Sequence, residues 1–363
     1  MSAAPAPLPA TMRAVVMNGP FDVKVKEVPV PQLEKDTDVL IKVHLAGLCG
    51  SDLHAYRGHE EGSGYVMGHE VVGTVVATGA AVNKFKVGDH VIAPFSVSCG
   101  NCFYCDQGYT SRCDQNACLI GGQAEYFRMP LADGCLFPFP AGLPEDVALL
   151  MTDILPTGYS SAMNARRLLD NDAAQWTYAD ALAGTVPKKG VAVVIGCGPV
   201  GLCAISSART LFETVYATDL ATQRLALAEK HGAIALPLPE LKEALAKATN
   251  GRGADAVLEV VGHAGAVLTA LELVRPYGAV SSVGVHSRHI DLDGDQLYSK
   301  NARLQFGRCS VRTFFPLAAN VLRDNLDVFK SFVENKVDLD EAEKYYELFE
   351  QNKVAKTVFV MPK

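Results

Sequence analysis

Apolar residues between Met12 and about Phe127 come in short runs, Ala14–Met17, Val39–Val43, Val71–Ala77 and His90–Ala93, that break at Gly or Pro every ten residues or so. Runs of this length bounded by turn formers predict strands, so the first third reads as an all-β region. Near Val191 the texture changes. Short apolar runs at Val191–Ile195, Val215–Thr218, Ala256–Val260 and Ala279–Val283 now alternate with Val200–Leu211, Ala221–His231, Glu240–Thr249 and Ala264–Val274, where apolar residues recur at helical spacing. Such alternation is what a parallel α/β sheet requires. No internal repeat is evident, and Gln175–Lys189, which carries the only tryptophan, has little periodicity and reads as a connection into the second region.

At 363 residues the chain is long enough for two cores, since domains usually run about 100 to 200 residues. Hydrophobic residues make up 49% and charged residues 20%, and no apolar run approaches the roughly 18 residues that would cross a bilayer. A net charge of −7 gives no general attraction to nucleic acid or anionic lipid, which leaves small-molecule chemistry as the better fit. Met1–Ala10 is rich in Ala and Pro and has no basic residue, so it reads as a short disordered tail rather than a signal or transit peptide. Ten cysteines, four of them crowded into Cys99–Cys113, do not form a small disulfide scaffold, which points to a reducing compartment and a cytoplasmic protein.

The run Val191–Ile195 leads into Gly196-Cys197-Gly198-Pro199-Val200-Gly201 and then a helical stretch, the strand–turn–helix setting that a dinucleotide fingerprint needs. Gly196 suits the tight turn, Gly198 lets the backbone approach a pyrophosphate, and Gly201 lets helix pack on strand, with Pro199 and Val200 opening the helix whose N–H groups face the phosphates. Asp219 ends the second strand about 20 residues on, where a carboxylate accepts hydrogen bonds from the ribose hydroxyls and repels a 2′-phosphate. NAD is therefore favoured over NADP, although Arg224 offers a phosphate partner and keeps NADP open.

Cys99, Cys102, Cys105 and Cys113 follow C-x2-C-x2-C-x7-C. Four thiolates so close in sequence wrap one tetrahedral ion and leave no place for substrate, the pattern of a structural zinc. Iron–sulfur runs differ in spacing and often end in Cys-Pro, whereas Cys113 precedes Asp114. A nucleic-acid finger is disfavoured because Arg112 is the only basic residue in the stretch. Cys118, Cys135, Cys197, Cys203 and Cys309 read as buried small hydrophobes.

Three more fragments complete the picture: Cys49-Gly50-Ser51-Asp52-Leu53-His54, Gly68-His69-Glu70, and Thr152-Asp153-Ile154-Leu155-Pro156-Thr157-Gly158. With the four-cysteine lobe and the glycine motif they resemble the zinc-containing medium-chain dehydrogenase/reductase family, and the match spans nearly the whole chain after the tail. The resemblance implies an α/β protein. Its GroES-like, mostly-β catalytic domain would comprise residues 11–160 and 305–363, with a structural-zinc lobe at 99–113. Its Rossmann domain, a doubly wound parallel sheet, would comprise residues 161–304. It implies two zinc ions per subunit, a catalytic one on Cys49, His69 and Asp153 with a position left for substrate oxygen, and hydride transfer between NAD and a primary or secondary alcohol. Many members carry a second cysteine where Asp153 stands. The carboxylate, together with Gly158-Tyr159 and Gly307-Arg308-Cys309, is similar to the formaldehyde dehydrogenase-like branch, and thiolate plus carboxylate still balances Zn²⁺.

By the same resemblance Ser51 takes the substrate proton and His54 passes it outward, a role apt for a side chain of pKa about 6.5. Glu70 resembles a carboxylate that joins the zinc ligands when water leaves, and Asp52 resembles the acid that orients the histidine ligand. Thr157, Val260, Val261, Val283 and Val285 resemble nicotinamide-side contacts. His59, near the zinc fragments, is a candidate pocket residue; His44, His90, His231, His263, His286 and His289 match no ligand position. Gly50 replaces the basic residue that several relatives place against the pyrophosphate. The short interval from Cys113 to Asp153 resembles the compact members, implying a homo-oligomer, dimer or tetramer, formed through sheet edges. Two other readings are a zinc-free quinone or enoyl reductase, against which the zinc fragments stand, and a non-catalytic zinc and dinucleotide redox sensor, against which Ser51 and His54 stand.

Overall fold

The computed structural model describes residues 8–59, 62–117, 119–170 and 176–362. Most of the expected tail and two residues singled out above, Cys118 and Gln175, lie outside them; Leu8–Ala10 are exposed. The chain divides into two compact units, one formed by Met1–Asp153, Ser310–Thr313 and Phe329–Lys363, the other by Ile154–Cys309 and Phe314–Val328.

The first unit is built on a seven-stranded sheet in the order Asn335–Asp338, Thr357–Val360, Val39–Leu48, Val71–Thr78, His90–Ala93, Phe137–Pro138, with Tyr126–Met129 also paired to Val39–Leu48. Val39–Leu48 is its spine. Val39, Ile41 and Val43 enter one core with Val75, Val91, Phe127 and Phe359, whereas Leu40 enters another with Met12, Ala14 and Val16 of the hairpin Thr11–Gly19/Asp22–Pro29. Period-two alternation thus feeds both faces of one strand. The lobe around Cys99–Cys113 folds through two short helical turns, Phe103–Asp106 and Thr110–Arg112. It is tied to Ser310–Thr313, where Thr313 Oγ1 donates to Gly108 O at 2.6 Å and Ser111 N to Ser310 Oγ at 3.2 Å.

The second unit is a six-stranded parallel sheet ordered Ile234–Ala235, Thr214–Thr218, Val191–Ile195, Ala254–Glu259, Val274–Ser282, Arg303–Phe306. In strand number this is 3-2-1-4-5-6, the doubly wound order whose switch point lies beside the first strand. Its core gathers Val193, Val257, Val280, Leu241 and Leu271.

The expected cut at 160/161 falls inside the helix Ile154–Asp170, which packs on Pro199–Leu211 so closely that a Cβ on Gly158 would stand 2.5 Å from Ala204 N. This packing carries the whole helix into the second unit. The expected return at 305 likewise differs, because Phe314–Val328 stays with the second unit, its Phe314 ring 6.2 Å from that of Tyr159. The aperiodic stretch after Trp176 holds a short helix, Tyr178–Ala183, started by a capping box between Thr177 and Asp180. None of the described helices is long and apolar enough to cross a membrane.

Candidate active site

Cys49 directly follows the strand Val39–Leu48, and His69 and Glu70 directly precede Val71–Thr78. These strands run antiparallel with Ala46 opposite Val71, so the end of one delivers Cys49 beside the start of the other. Asp153 arrives from the turn after Leu150–Thr152, which is anchored by Phe95 N donating to Thr152 O at 3.1 Å. One donor atom from each of Cys49, His69, Glu70 and Asp153 lies within 4.8 Å of all the others. Asp153 Oδ2 is 3.7 Å from Cys49 Sγ and 3.4 Å from His69 Nε2. Ligands on a tetrahedral zinc at usual bond lengths sit about 3.3 to 3.8 Å apart, so the donor set fits that ion.

The surroundings fix the orientation of these side chains. Asp52 Oδ1 is 3.2 Å from His69 Nδ1, so the proton belongs on Nδ1 and the Nε2 lone pair points at the cluster. Asp52 is itself buried and accepts from Cys49 N at 2.9 Å and Gln123 Nε2 at 3.2 Å. Gln123 also donates to Gly47 O and accepts from the buried Tyr346 hydroxyl at 2.8 Å. Burial opposes protonation of His69, but Asp52, with Cys49 and Asp153, outweighs it and holds the imidazole well above its ordinary pKa. Burial, reinforced by Glu70, pushes the Cys49 thiol up. The protein alone therefore favours protons in this cluster, and a divalent cation is the natural replacement for them.

Glu70 is fully buried and ion-paired with Lys356, itself 1% exposed and also donating to Leu48 O at 3.1 Å. Burial raises the Glu70 pKa against the opposing charge of Lys356. Its second oxygen, Oε1, is buried and makes no hydrogen bond among the described residues, an orphan that a cation would satisfy. Gln123, Tyr346 and Lys356 carried no motif and were not anticipated. The one signal for Lys356 was a lysine between apolar residues near a terminal strand.

Ser51 Oγ stands 3.9 Å from Cys49 Sγ at the start of the short helix Asp52–Tyr56. His54 lies on that helix, and His59 N donates to His54 O at 2.9 Å with the two rings 6.1 Å apart. The second cluster brings Cys99, Cys102, Cys105 and Cys113 within the same 4.8 Å limit. All nine cysteines among the described residues are free thiols. Cys113 Sγ accepts from Cys99 N at 3.2 Å and Gln115 N at 3.3 Å. A hydrogen bond from the Asp114 backbone leads in pulling Cys102 down to about 7, while burial leads in pushing Cys105 up to about 12. Four thiols so close compete over protons that a metal would displace from all of them.

In the second unit the glycine turn has the form required for a nucleotide. Gly196 has φ +98°. A Cβ on Gly201 would meet Gly196 O at 1.9 Å, whereas one on Gly198 would meet nothing within 4 Å, so open space faces the turn there. Pro199 and Val200 open the helix Pro199–Leu211. Asp219 accepts from Cys197 N at 2.7 Å and Ala221 N at 2.8 Å, with Arg224 3.7 Å away, so it braces the turn. Val260 and Val261 follow one strand end, and Val283 and Val285 the next. Val261 and Val285 are 52% and 57% exposed, which removes them from the core. The buried Glu259 holds this rim, accepting from Val261 N and Gly262 N at 2.8 Å and from Ser282 Oγ; no sequence pattern had marked it. Thr157 is buried on Ile154–Asp170.

Comparison with known proteins agrees with this geometry. Residues 35–141 match the family model for the alcohol dehydrogenase GroES-like domain, and residues 199–324 match that for zinc-binding dehydrogenase. A zinc-type alcohol dehydrogenase B of Aspergillus flavus is 43% identical over 96% of this chain and 81% of its own. A formaldehyde dismutase of Pseudomonas putida is 29% identical over 95% of this chain and 96% of its own. Among solved structures, the alcohol dehydrogenase TADH of Thermus sp. ATN1 superposes with a TM-score of 0.86 at 33% identity, covering 97% of this chain and all of that one.

Proposed function

The chain belongs to the zinc-containing medium-chain dehydrogenase/reductase family, with a GroES-like unit and a Rossmann unit, and from that premise we propose that it moves hydride between a primary or secondary alcohol and NAD. The observation that carries the reading is the convergence of Cys49, His69, Glu70 and Asp153, with Asp52 on the outer nitrogen of His69. Cys49, His69 and Asp153 would hold a catalytic zinc, with Glu70 as an additional carboxylate, and Cys99, Cys102, Cys105 and Cys113 a structural one. A zinc there supplies Lewis acidity toward an alcohol or carbonyl oxygen, and NAD accepts the hydride.

The chain's own residues do the rest. Asp52 fixes the tautomer of His69. Ser51 accepts the hydroxyl proton, and His54 passes it outward. Gly196, Gly198, Val200 and Gly201 present the backbone of the turn and the helix N-terminus to the pyrophosphate, with Pro199 fixing the first helical position, Asp219 takes the ribose hydroxyls in preference to a 2′-phosphate, and Thr157, Val260, Val261, Val283 and Val285 flank the nicotinamide. Asp153 in place of a second cysteine, and the likeness to a formaldehyde dismutase, favour the formaldehyde dehydrogenase-like branch, in a cytoplasmic homo-oligomer.

The test is a panel of aliphatic, aromatic and terpenoid alcohols read by NADH absorbance, with metal content measured alongside and Asp153→Ala as control. About two zinc per subunit and alcohol-dependent NADH formation that falls at least about a hundredfold in the variant are expected, since a zinc ligand carries much of the transition-state charge stabilisation. Unchanged activity in Asp153→Ala would overturn the ligand assignment, and metal-free protein without NADH formation would overturn the function.

A further inference from the structure

A second histidine cluster lies away from Cys49 and from the cysteine lobe. His44 Nδ1 is 2.6 Å and His90 Nε2 is 2.9 Å from the same oxygen, Oε1 of Glu145, and all three residues offer donor atoms within 4.8 Å of one another. We propose that His44, His90 and Glu145 form a third metal site, open to solvent, that takes a divalent transition ion such as zinc or nickel.

The backbone builds the convergence. The ladder between Val39–Leu48 and Val71–Thr78 shifts register between Val43 and Leu45, leaving His44 as the extra residue of a β-bulge, a device that re-aims one side chain. On the far side of Val71–Thr78, His90 is the direct partner of Thr74, so the two imidazoles flank one threonine. Thr74 Oγ1 is 3.1 Å from His44 Nε2, which gives the outer nitrogen a partner when Nδ1 binds an ion, as metal-bound histidines nearly always have. The His90 ring is stacked on Phe139, centroids 3.8 Å apart and planes 9° apart, and this fixes its direction. Glu145 opens the helix Glu145–Leu149 after Pro144.

The chemistry favours an ion over a simple polar network. His90 Nε2 is buried and is directed, like His44 Nδ1, at Oε1 of Glu145, so two ring nitrogens crowd one acceptor oxygen. Two imidazoles and one carboxylate leave coordination positions for water, the donor set of open zinc sites. His44, His90 and Glu145 are 33%, 32% and 35% exposed, so an ion enters without unfolding. Donors on such an ion need spacings of about 3.3 Å, an opening of roughly half an ångström that partly exposed side chains allow.

The test compares wild type with His90→Asn and Thr74→Val. Each protein is saturated with zinc and desalted, its zinc is counted by mass spectrometry, and melting is followed with and without added nickel. One zinc fewer per subunit in His90→Asn is expected, together with a nickel-induced rise of several degrees in wild type that His90→Asn loses. Thr74→Val, which keeps all three donors, should bind nickel at least about tenfold more weakly. Equal zinc counts in wild type and His90→Asn, or equal nickel shifts in all three proteins, would overturn the site. Because differences between variants are read, the result is independent of how the Cys49 cluster and the cysteine lobe fill.

Discussion

Lys356→Met isolates one buried charge. Lys356 and Glu70 are 1% and 0% exposed and ion-paired, and the lysine also donates to Leu48 O. In protein stripped of metal, removing the cation leaves a carboxylate without water or counter-charge, a loss of about 3 to 5 kcal/mol for a broken buried pair. Lys356→Met/Glu70→Gln carries no charge at the site and should recover at least half of that loss. Sign and pH dependence follow from burial, which already raises Glu70 above its ordinary 4.5 and raises it further once Lys356 is gone. A carboxyl whose folded pKa lies above its unfolded pKa is stabilising below the unfolded value and loses that contribution as pH rises through the folded one. The deficit of Lys356→Met should therefore be small near pH 4.5 and full at neutral pH. Equilibrium urea unfolding of wild type, single and double variants at both pH values measures it. A single variant within 1 kcal/mol of wild type at neutral pH, or a double variant no more stable than the single, would refute the argument.

Gly201→Ala places a methyl 1.9 Å from Gly196 O, so the turn must move; NAD affinity should drop at least about tenfold and stability by about 1 to 3 kcal/mol, and an unchanged calorimetric Kd would contradict this. Cys105→Ser should cost one zinc equivalent and expose the lobe at Arg112 to trypsin, with equal metal content and equal resistance as the contrary result. His231, 6% exposed and hydrogen-bonded to Ser206 at 2.8 Å, is lowered by burial to about 4. The unfolded chain binds that proton first, so stability is full above about pH 6.5 and falls by up to about 3 kcal/mol toward pH 4. His231→Gln should flatten this slope in urea titrations; an identical slope would show that other groups govern it.

Features encoded over short spans were legible in the sequence alone. The four cysteines of the lobe lie within 15 residues, and the turn at Gly196–Gly201 is set by what a Cβ would strike, so residue type and spacing carry the geometry. The alternation of strands and helices after Val191 likewise announced a parallel sheet, because burial on both faces imposes its own pattern. The Cys49 cluster was legible only through resemblance, since its members come from three separate segments. The antiparallel register that sets Ala46 against Val71 unites two of them, and the hydrogen bond from Phe95 to Thr152 brings in the third.

Other features had no local signature. The helix Ile154–Asp170 goes to the second unit because Gly158 lets it press against Ala204. Gln123, Tyr346 and Lys356 reach the candidate site across 76, 223 and 286 positions of chain, and Glu259 holds the nucleotide rim by accepting two backbone N–H groups. His44 and His90 matched no motif because a bulge and the strand between them, not their spacing, aim both at Glu145. Sequence settles what neighbours along the chain can do, whereas a buried charge or a shared carboxylate is satisfied by whichever residue packing brings there, and that is decided by the tertiary structure.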